Sequence, residues 1–149
     1  MLIARPDPGP VLDERELVDR LPLNQARALE LGCGTARQTR LLAGSGKFAS
    51  IVALEVDRVQ HEINLTLADL PSVRFGLGGA QEIPAGDASA DAVFLFKSLH
   101  HVPLDRLGRA FAEIHRVLAP GGLAYVSEPV FDGDYNEILR LFHDEQRVR

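Results

Sequence analysis

A chain of 149 residues, 46% hydrophobic and 25% charged, is long enough for one domain with a full core, since a domain of this size buries roughly 68–70% of its unfolded surface. Its 16 basic and 21 acidic residues leave a net charge of -5 with no basic cluster, which disfavours nucleic acid as a partner. Cys33 is the one cysteine, which excludes an intramolecular disulfide and a thiolate zinc cluster; no apolar signal core opens the chain and no apolar run approaches ~20 residues, so a cytoplasmic location with no membrane partner is expected.

Prolines at 6, 8 and 10 favour an extended arm over Met1 to Pro10. Val11, Leu12, Leu17, Val18 and Leu21 then recur at near-helical spacing, with Asp13, Glu14 and Glu16 early and Pro22 after. The stretch Ala26 to Ala36 organises the rest: Ala28, Leu29 and Leu31 fit a buried strand, and Gly32 and Gly34 allow a tight turn where backbone approaches a ligand. Thr35 is expected to cap a helix running to Ala43. After the break at Gly44-Ser45-Gly46, Ile51 to Leu54 reads as a second strand ending at Glu55.

Asp57 is placed to cap the next helix, whose apolar stripe is Val59, Ile63, Leu67 and Leu70 and which Pro71 ends. Val73 to Leu77 is a third strand, loosened afterwards by Gly78 and Gly79. Asp91 to Phe96 is a fourth, followed by Lys97-Ser98-Leu99-His100-His101-Val102. Leu104, Leu107, Phe111, Ile114 and Leu118 trace a helix that the tight turn Pro120-Gly121-Gly122 is expected to stop. Leu123 to Val126 enters a fifth strand, and Tyr135 to Arg149 reads as a final amphipathic helix.

Strands alternating with helices of this length predict one α/β domain over 1–149, a doubly wound parallel sheet of order 3-2-1-4-5. Ligand then lies beyond the carboxyl ends of strands 1, 2 and 4. Three ligands compete for the glycine turn. A phosphate loop needs Lys directly after its second Gly, and the pattern is missing at Arg37 and Gln38. A dinucleotide fingerprint needs a third Gly where Arg37 stands. What remains is an acid two residues before a glycine pair, Glu30-Leu31-Gly32-Cys33-Gly34, with Ala36 in the last slot. Glu55 follows the turn at the ~20-residue spacing at which an acid accepts ribose hydroxyls. Glu30 is expected to orient backbone or to hold a ligand amino group.

These residues resemble motif I of the class I S-adenosylmethionine-dependent methyltransferases. Ile51 to Glu55 is similar to the family's second-strand motif, Gly78 to Pro84 to the GDAExLP segment of the branch that methylates quinones, sterols and other small molecules, and Asp91 to Val102 to its DxVxxxxxLHHV segment. His115 to Gly122, His-Arg-Val-Leu-Ala-Pro-Gly-Gly, is close to its RVLKPGG turn. The resemblance covers residues 27 to 129 and implies a Rossmann-like methyltransferase that takes S-adenosylmethionine as cofactor and a small-molecule acceptor as partner. The implied cofactor contacts are Glu30, Gly32, Cys33, Gly34, Glu55, Val56, Ala80, Gln81 and Lys97. His100 and His101 are weak candidates for a general base, since the family's His pair more often packs or bonds loop backbone. A metal site is not expected.

Two departures stand out. Gly79 occupies the position of the family's adenine-binding acid, so Gln81 or Glu82, or the Ala80 amide, has to supply that contact. The family's sheet ends in an antiparallel hairpin after the fifth strand, whereas only about one helix fits after Glu128; the hairpin is expected to be lacking, with a truncated terminus or a covering chain, and hence a homo-oligomer, as the consequence. A non-catalytic S-adenosylmethionine-binding or regulatory domain is the alternative to an enzyme, and an oxidoreductase the weaker one.

Overall fold

The computed structural model describes residues 13–129. The expected N-terminal arm with Val11 and Leu12, and the helix expected over Tyr135 to Arg149, lie outside that span. Helix α1 (Glu14–Arg20) begins at Asp13, whose side chain accepts from the Arg15 amide. Then follow β1 (Ala26–Leu31), α2 (Arg37–Gly44), β2 (Phe48–Glu55), α3 (Arg58–Asn64), β3 (Val73–Leu77), β4 (Ala90–Phe96), α4 (Leu107–Val117) and β5 (Leu118–Ser127). The strands form one Rossmann-like sheet in the order β3-β2-β1-β4-β5, every pairing parallel, as the alternation of elements predicts.

Successive strand residues point to opposite faces, and both faces of this sheet are covered. Leu29, Leu31, Val93 and Leu95 face α4 and pack with its Ala110, Ile114 and Val117. Ala28, Ala92, Phe94 and Phe96 face α1 and α2, where Val18 and Leu42 are fully buried. Burying each such large aliphatic side chain stabilises the fold by roughly 1.5–3 kcal/mol. By the same parity Glu30, two residues after Ala28, is sent under α2 and not outward into solvent.

Three local expectations are corrected. Thr35 does not cap α2: the helix starts at Arg37 after Ala36, which adopts a left-handed φ of 59° and makes no side-chain cap. The chain reverses inside the glycine turn itself, where the Ala36 amide donates to Cys33 O at 2.9 Å, so Thr35 falls within the turn. Helix α3 ends at Asn64, and its Val59 and Ile63 are 69% and 52% exposed while Asn64 is fully buried. Of the expected stripe only Leu70, beyond the helix, is buried. Leaving two large aliphatics in water forgoes roughly 1.5–3 kcal/mol each, and the face this helix turns inward is the polar one that carries Asn64.

The third correction concerns Pro120-Gly121-Gly122. The segment does not separate a helix from a later strand: β5 starts directly after α4, and Ala90 pairs with Leu118 while Ala92 pairs with Leu123. The intervening residues bulge out of the strand. Gly121 there has φ of 79°, and a Cβ at Gly122 would meet Ala119 O and Asp91 O at 2.9 Å. Among the described residues β5 pairs with β4 alone.

Candidate functional site

A cavity of about 460 Å³ opens beyond the carboxyl ends of β1, β2 and β4. Its walls are the turn from Gly32 to Thr35, then Glu55 and Val56, then Gly79 to Gln81, then Lys97, Ser98, His101 and Val102. Eight of the residues expected from the sequence at the donor site therefore meet here: Gly32, Cys33, Gly34, Glu55, Val56, Ala80, Gln81 and Lys97. The two glycines have different reasons to be glycine. Gly32 has φ of 75°, and a Cβ there would stand 2.7 Å from the Ser98 Cβ; Gly34 has φ of 50°, and a Cβ there would meet nothing within 4 Å because it faces the open cavity.

Glu55, 8% exposed, is held by backbone. Its Oε1 accepts from the amides of Val56 (2.8 Å) and Asp57 (3.0 Å), and its Oε2 from the Gly34 amide at 2.7 Å. Each carboxylate oxygen has about two acceptor sites, so Oε2 keeps one for a ligand hydroxyl. Asp57 is exposed and caps α3, accepting from the Val59 and Gln60 amides at 2.8 and 3.2 Å. The two acids thus divide as the sequence suggests: Glu55 faces the cavity and Asp57 starts the helix.

Glu30 differs from the expectation of a ligand contact. It is 1% exposed, it lies outside the cavity lining, and its Oε2 accepts from the Thr39 hydroxyl at 2.7 Å. Burial pushes its carboxyl up to about 7, a shift that the Thr39 bond opposes and the nearby Glu55 charge adds to. Glu30 joins the end of β1 to α2. Cys33 is also buried, and burial pushes its thiol up to about 12, which removes it as a thiolate nucleophile.

The third wall is fastened from α4. Arg116 donates to Ile83 O (3.0 Å), Ala85 O (2.8 Å) and Asp87 Oδ1 (2.8 Å), and it also holds Glu113 through Nε and Nη2. Glu113 in turn accepts from the Ile83 amide at 2.8 Å, and Arg116 beside it holds its carboxyl down to about 2. Arg109 donates to Gln81 O at 2.7 Å. At Gly79 an added Cβ would lie 2.9 Å from Val56 Cγ1 and 3.0 Å from Gln81 Oε1. The Gln81 amide therefore occupies the space an acid at Gly79 would fill, while the exposed Glu82 points to Arg109 and does not line the cavity.

The last wall follows β4. Lys97 has φ of 54° and donates its amide to Ser127 O at 2.7 Å; its side chain is exposed. Ser98 Oγ donates to Leu31 O at 2.7 Å, tying this wall to β1. His100 turns away from the cavity: its Nδ1 meets Glu128 Oε2 at 2.5 Å, and Glu128 Oε1 accepts from the Leu99 amide at 2.7 Å. His101 lines the cavity, its ring 4.0 Å from that of His100.

Sequence reasoning missed the residues that fasten these walls: Thr39, Asn64, Arg116, Glu113 and Glu128. The three-residue spacing of Glu113 and Arg116 was a readable signal for an ion pair on one helix face. Asn64 offered none, because the stripe on its own helix pointed elsewhere.

A methyltransferase domain model matches residues 29–126. The chain belongs to that methyltransferase family. An uncharacterized methyltransferase of Mycobacterium tuberculosis is 39% identical to it over 102 residues, 68% of this chain and 39% of its own length. Among solved structures, the (4+2)-cyclase SpnF is 30% identical with a TM-score of 0.68, covering 80% of this chain and 47% of its own. A putative S-adenosylmethionine-dependent methyltransferase of Methanococcus maripaludis shares the fold at 24% identity and a TM-score of 0.69, covering 85% and 58%. The chain thus spans about two fifths of the curated relative and about half of the solved structures. Among the described residues, no helix is long and apolar enough to cross a membrane.

Proposed function

We propose that this domain binds S-adenosylmethionine in the cavity beyond β1, β2 and β4 and transfers its methyl group to a small-molecule acceptor. The observation that carries the reading is the pairing of an open face at Gly34 with the inward carboxylate of Glu55 across one cavity. A volume of about 460 Å³ falls within the usual range for small-molecule sites. The residues fit the donor. Glu55 Oε2 has an acceptor site for a ribose hydroxyl, Val56 offers an apolar surface to the base, and Gln81 and the Ala80 backbone replace the acid missing at Gly79.

When bound, the donor supplies a methyl group on a sulfonium, so the leaving group needs no activation. The chain's own contribution is positioning, which supplies a large part of the barrier reduction in such displacements. The glycine turn lets the donor lie against backbone, and Lys97 to Val102 form the wall over which the acceptor enters. His101 is the imidazole that lines the cavity, and it is the wall residue placed to take a proton where the acceptor must lose one. His100, held by Glu128, positions that wall.

Calorimetric titration with S-adenosylhomocysteine tests the donor half. Glu55→Ala should lose about one to two decades of affinity, the value of a charged hydrogen bond, while Asp57→Ala, which removes a helix cap, stays within about twofold of wild type. The reverse order would move the ribose to Asp57. Because a cyclase shares this architecture, transfer of labelled methyl to an acceptor library is the measurement that decides the reaction; donor binding without transfer would leave a binding domain.

A further inference from the structure

We propose that Asn64 is a positioning residue for the donor site, one that fixes the glycine turn by holding the carbonyl of Gly34; this rests on the donor-binding reading above. Asn64 is fully buried on a seven-residue helix whose apolar Val59 and Ile63 face solvent. Its Nδ2 donates to Gly34 O at 2.8 Å and approaches Cys33 Sγ at 3.5 Å. Gln60, one turn earlier on the same helix, donates Nε2 to Asn64 Oδ1 at 2.9 Å. That contact orients the amide: with Oδ1 engaged as acceptor, Nδ2 is turned to the turn as donor.

Gly34 is therefore gripped on both sides. Its amide is held by Glu55 at the end of β2, and its carbonyl by Asn64 on the helix that follows. A glycine with left-handed φ and open space at its α-carbon has no side-chain packing to keep it in place. The two polar contacts supply that restraint. Without Asn64, the peptide joining Gly34 to Thr35 loses its anchor just before α2, and the surface against which the donor lies becomes mobile. The inverted helix follows from this: burying Asn64 against the turn forces Val59 and Ile63 outward.

The test uses the full chain, with S-adenosylhomocysteine as probe and hydrogen exchange as a ligand-free readout. Asn64→Ala and Asn64→Leu should each weaken binding about tenfold, and the amides of Gly34 and Ala36 should exchange faster in both. Val18→Ala, a core deletion on α1, serves as the stability control: at a similar loss of melting temperature it should keep wild-type affinity. Gln60→Ala, which frees the Asn64 amide to rotate, should give a smaller loss of the same kind and stands in where an Asn64 variant does not fold. Affinity that falls in Val18→Ala as much as in the Asn64 variants, or exchange at Gly34 and Ala36 that is unchanged, overturns the proposal. If wild type fails to bind the probe, the donor reading falls; unchanged exchange sinks the Asn64 assignment separately.

Discussion

On the β1–β2 side of the cavity the turn backbone is held by buried side chains from β2 and α3, Glu55 and Asn64, with Glu30 and Thr39 beneath. On the β4 side the wall is held from both neighbouring strands, by β1 through the Ser98 hydroxyl on Leu31 O and by the end of β5 through Ser127 O and the Glu128 carboxylate, and its foremost residue, Lys97, is exposed. The first side is closed over by its own neighbours in sequence, within 30 residues of Gly34. The second is tied across the sheet, to β5 and to β1. The difference is therefore one of kind: buried carboxylate and amide side chains grip the turn backbone, whereas the β4 wall hangs on backbone carbonyls and one partly exposed acid. Opposed residues show the difference: Gly34 is held at both its amide and its carbonyl, whereas Lys97 presents an exposed side chain.

The sharpest way to break this contrast is within the turn itself. Gly34→Val should abolish measurable donor binding, a loss of about a hundredfold or more, with circular dichroism near wild type, since its side chain enters the cavity and not the core. The left-handed φ adds a stability penalty of about 1–2 kcal/mol. Gly32→Val should lose fold and binding together, because its Cβ would collide with Ser98. If Gly34→Val binds normally, the donor does not use this turn.

A smaller effect is expected from the third wall. Arg116→Ala removes the donor side of five hydrogen bonds to the loop carrying Ile83, Ala85 and Asp87 and to Glu113. The Gly79 to Gln81 segment then loses its backing, and donor affinity should fall on the order of tenfold with a lower melting temperature. By contrast Arg27→Ala, which breaks the exposed pair with Asp91 at the opposite end of the sheet, should leave affinity unchanged. Equal effects from both would show that Arg116 acts only on global stability.

The sheet order, the glycine turn and the division of labour between Glu55 and Asp57 were legible because backbone geometry demands particular residue types there. Strand β2 was read from Ile51 but begins at Phe48, since its half-exposed first residues lack the continuous apolar signature of the buried ones. What stayed hidden were contacts between polar groups far apart in sequence, Asn64 with Gly34 and Glu128 with His100. The Val59–Ile63 spacing was real but misleading, since α3 turns Gln60 and Asn64 inward to bond each other and the turn. For Glu30, motif position says that an acid stands there, and strand parity decides that it faces α2 and Thr39.

Glu30 supplies the smallest and most selective test of the donor seat. Its carboxyl, pushed up by burial, holds a proton more tightly in the folded chain than in the unfolded one. The stability this brings is complete below the ordinary carboxylate range and is lost as pH rises through about 7. Between those limits the wild-type chain should lose on the order of 3 kcal/mol from this group. Glu30→Gln keeps an acceptor for the Thr39 hydroxyl and removes the titration, so its stability should be flatter over the same interval. Asp91 and Glu113 do not confuse the comparison, because their arginine partners hold them at about 2, where the sign is opposite and stability is lost only as pH falls. Urea midpoints for both proteins at about pH 5 and about pH 8 measure the difference directly. Parallel pH dependence in the two would show that Glu30 is already ionised at pH 5, and that the seat beneath the glycine turn is wetter than its burial implies.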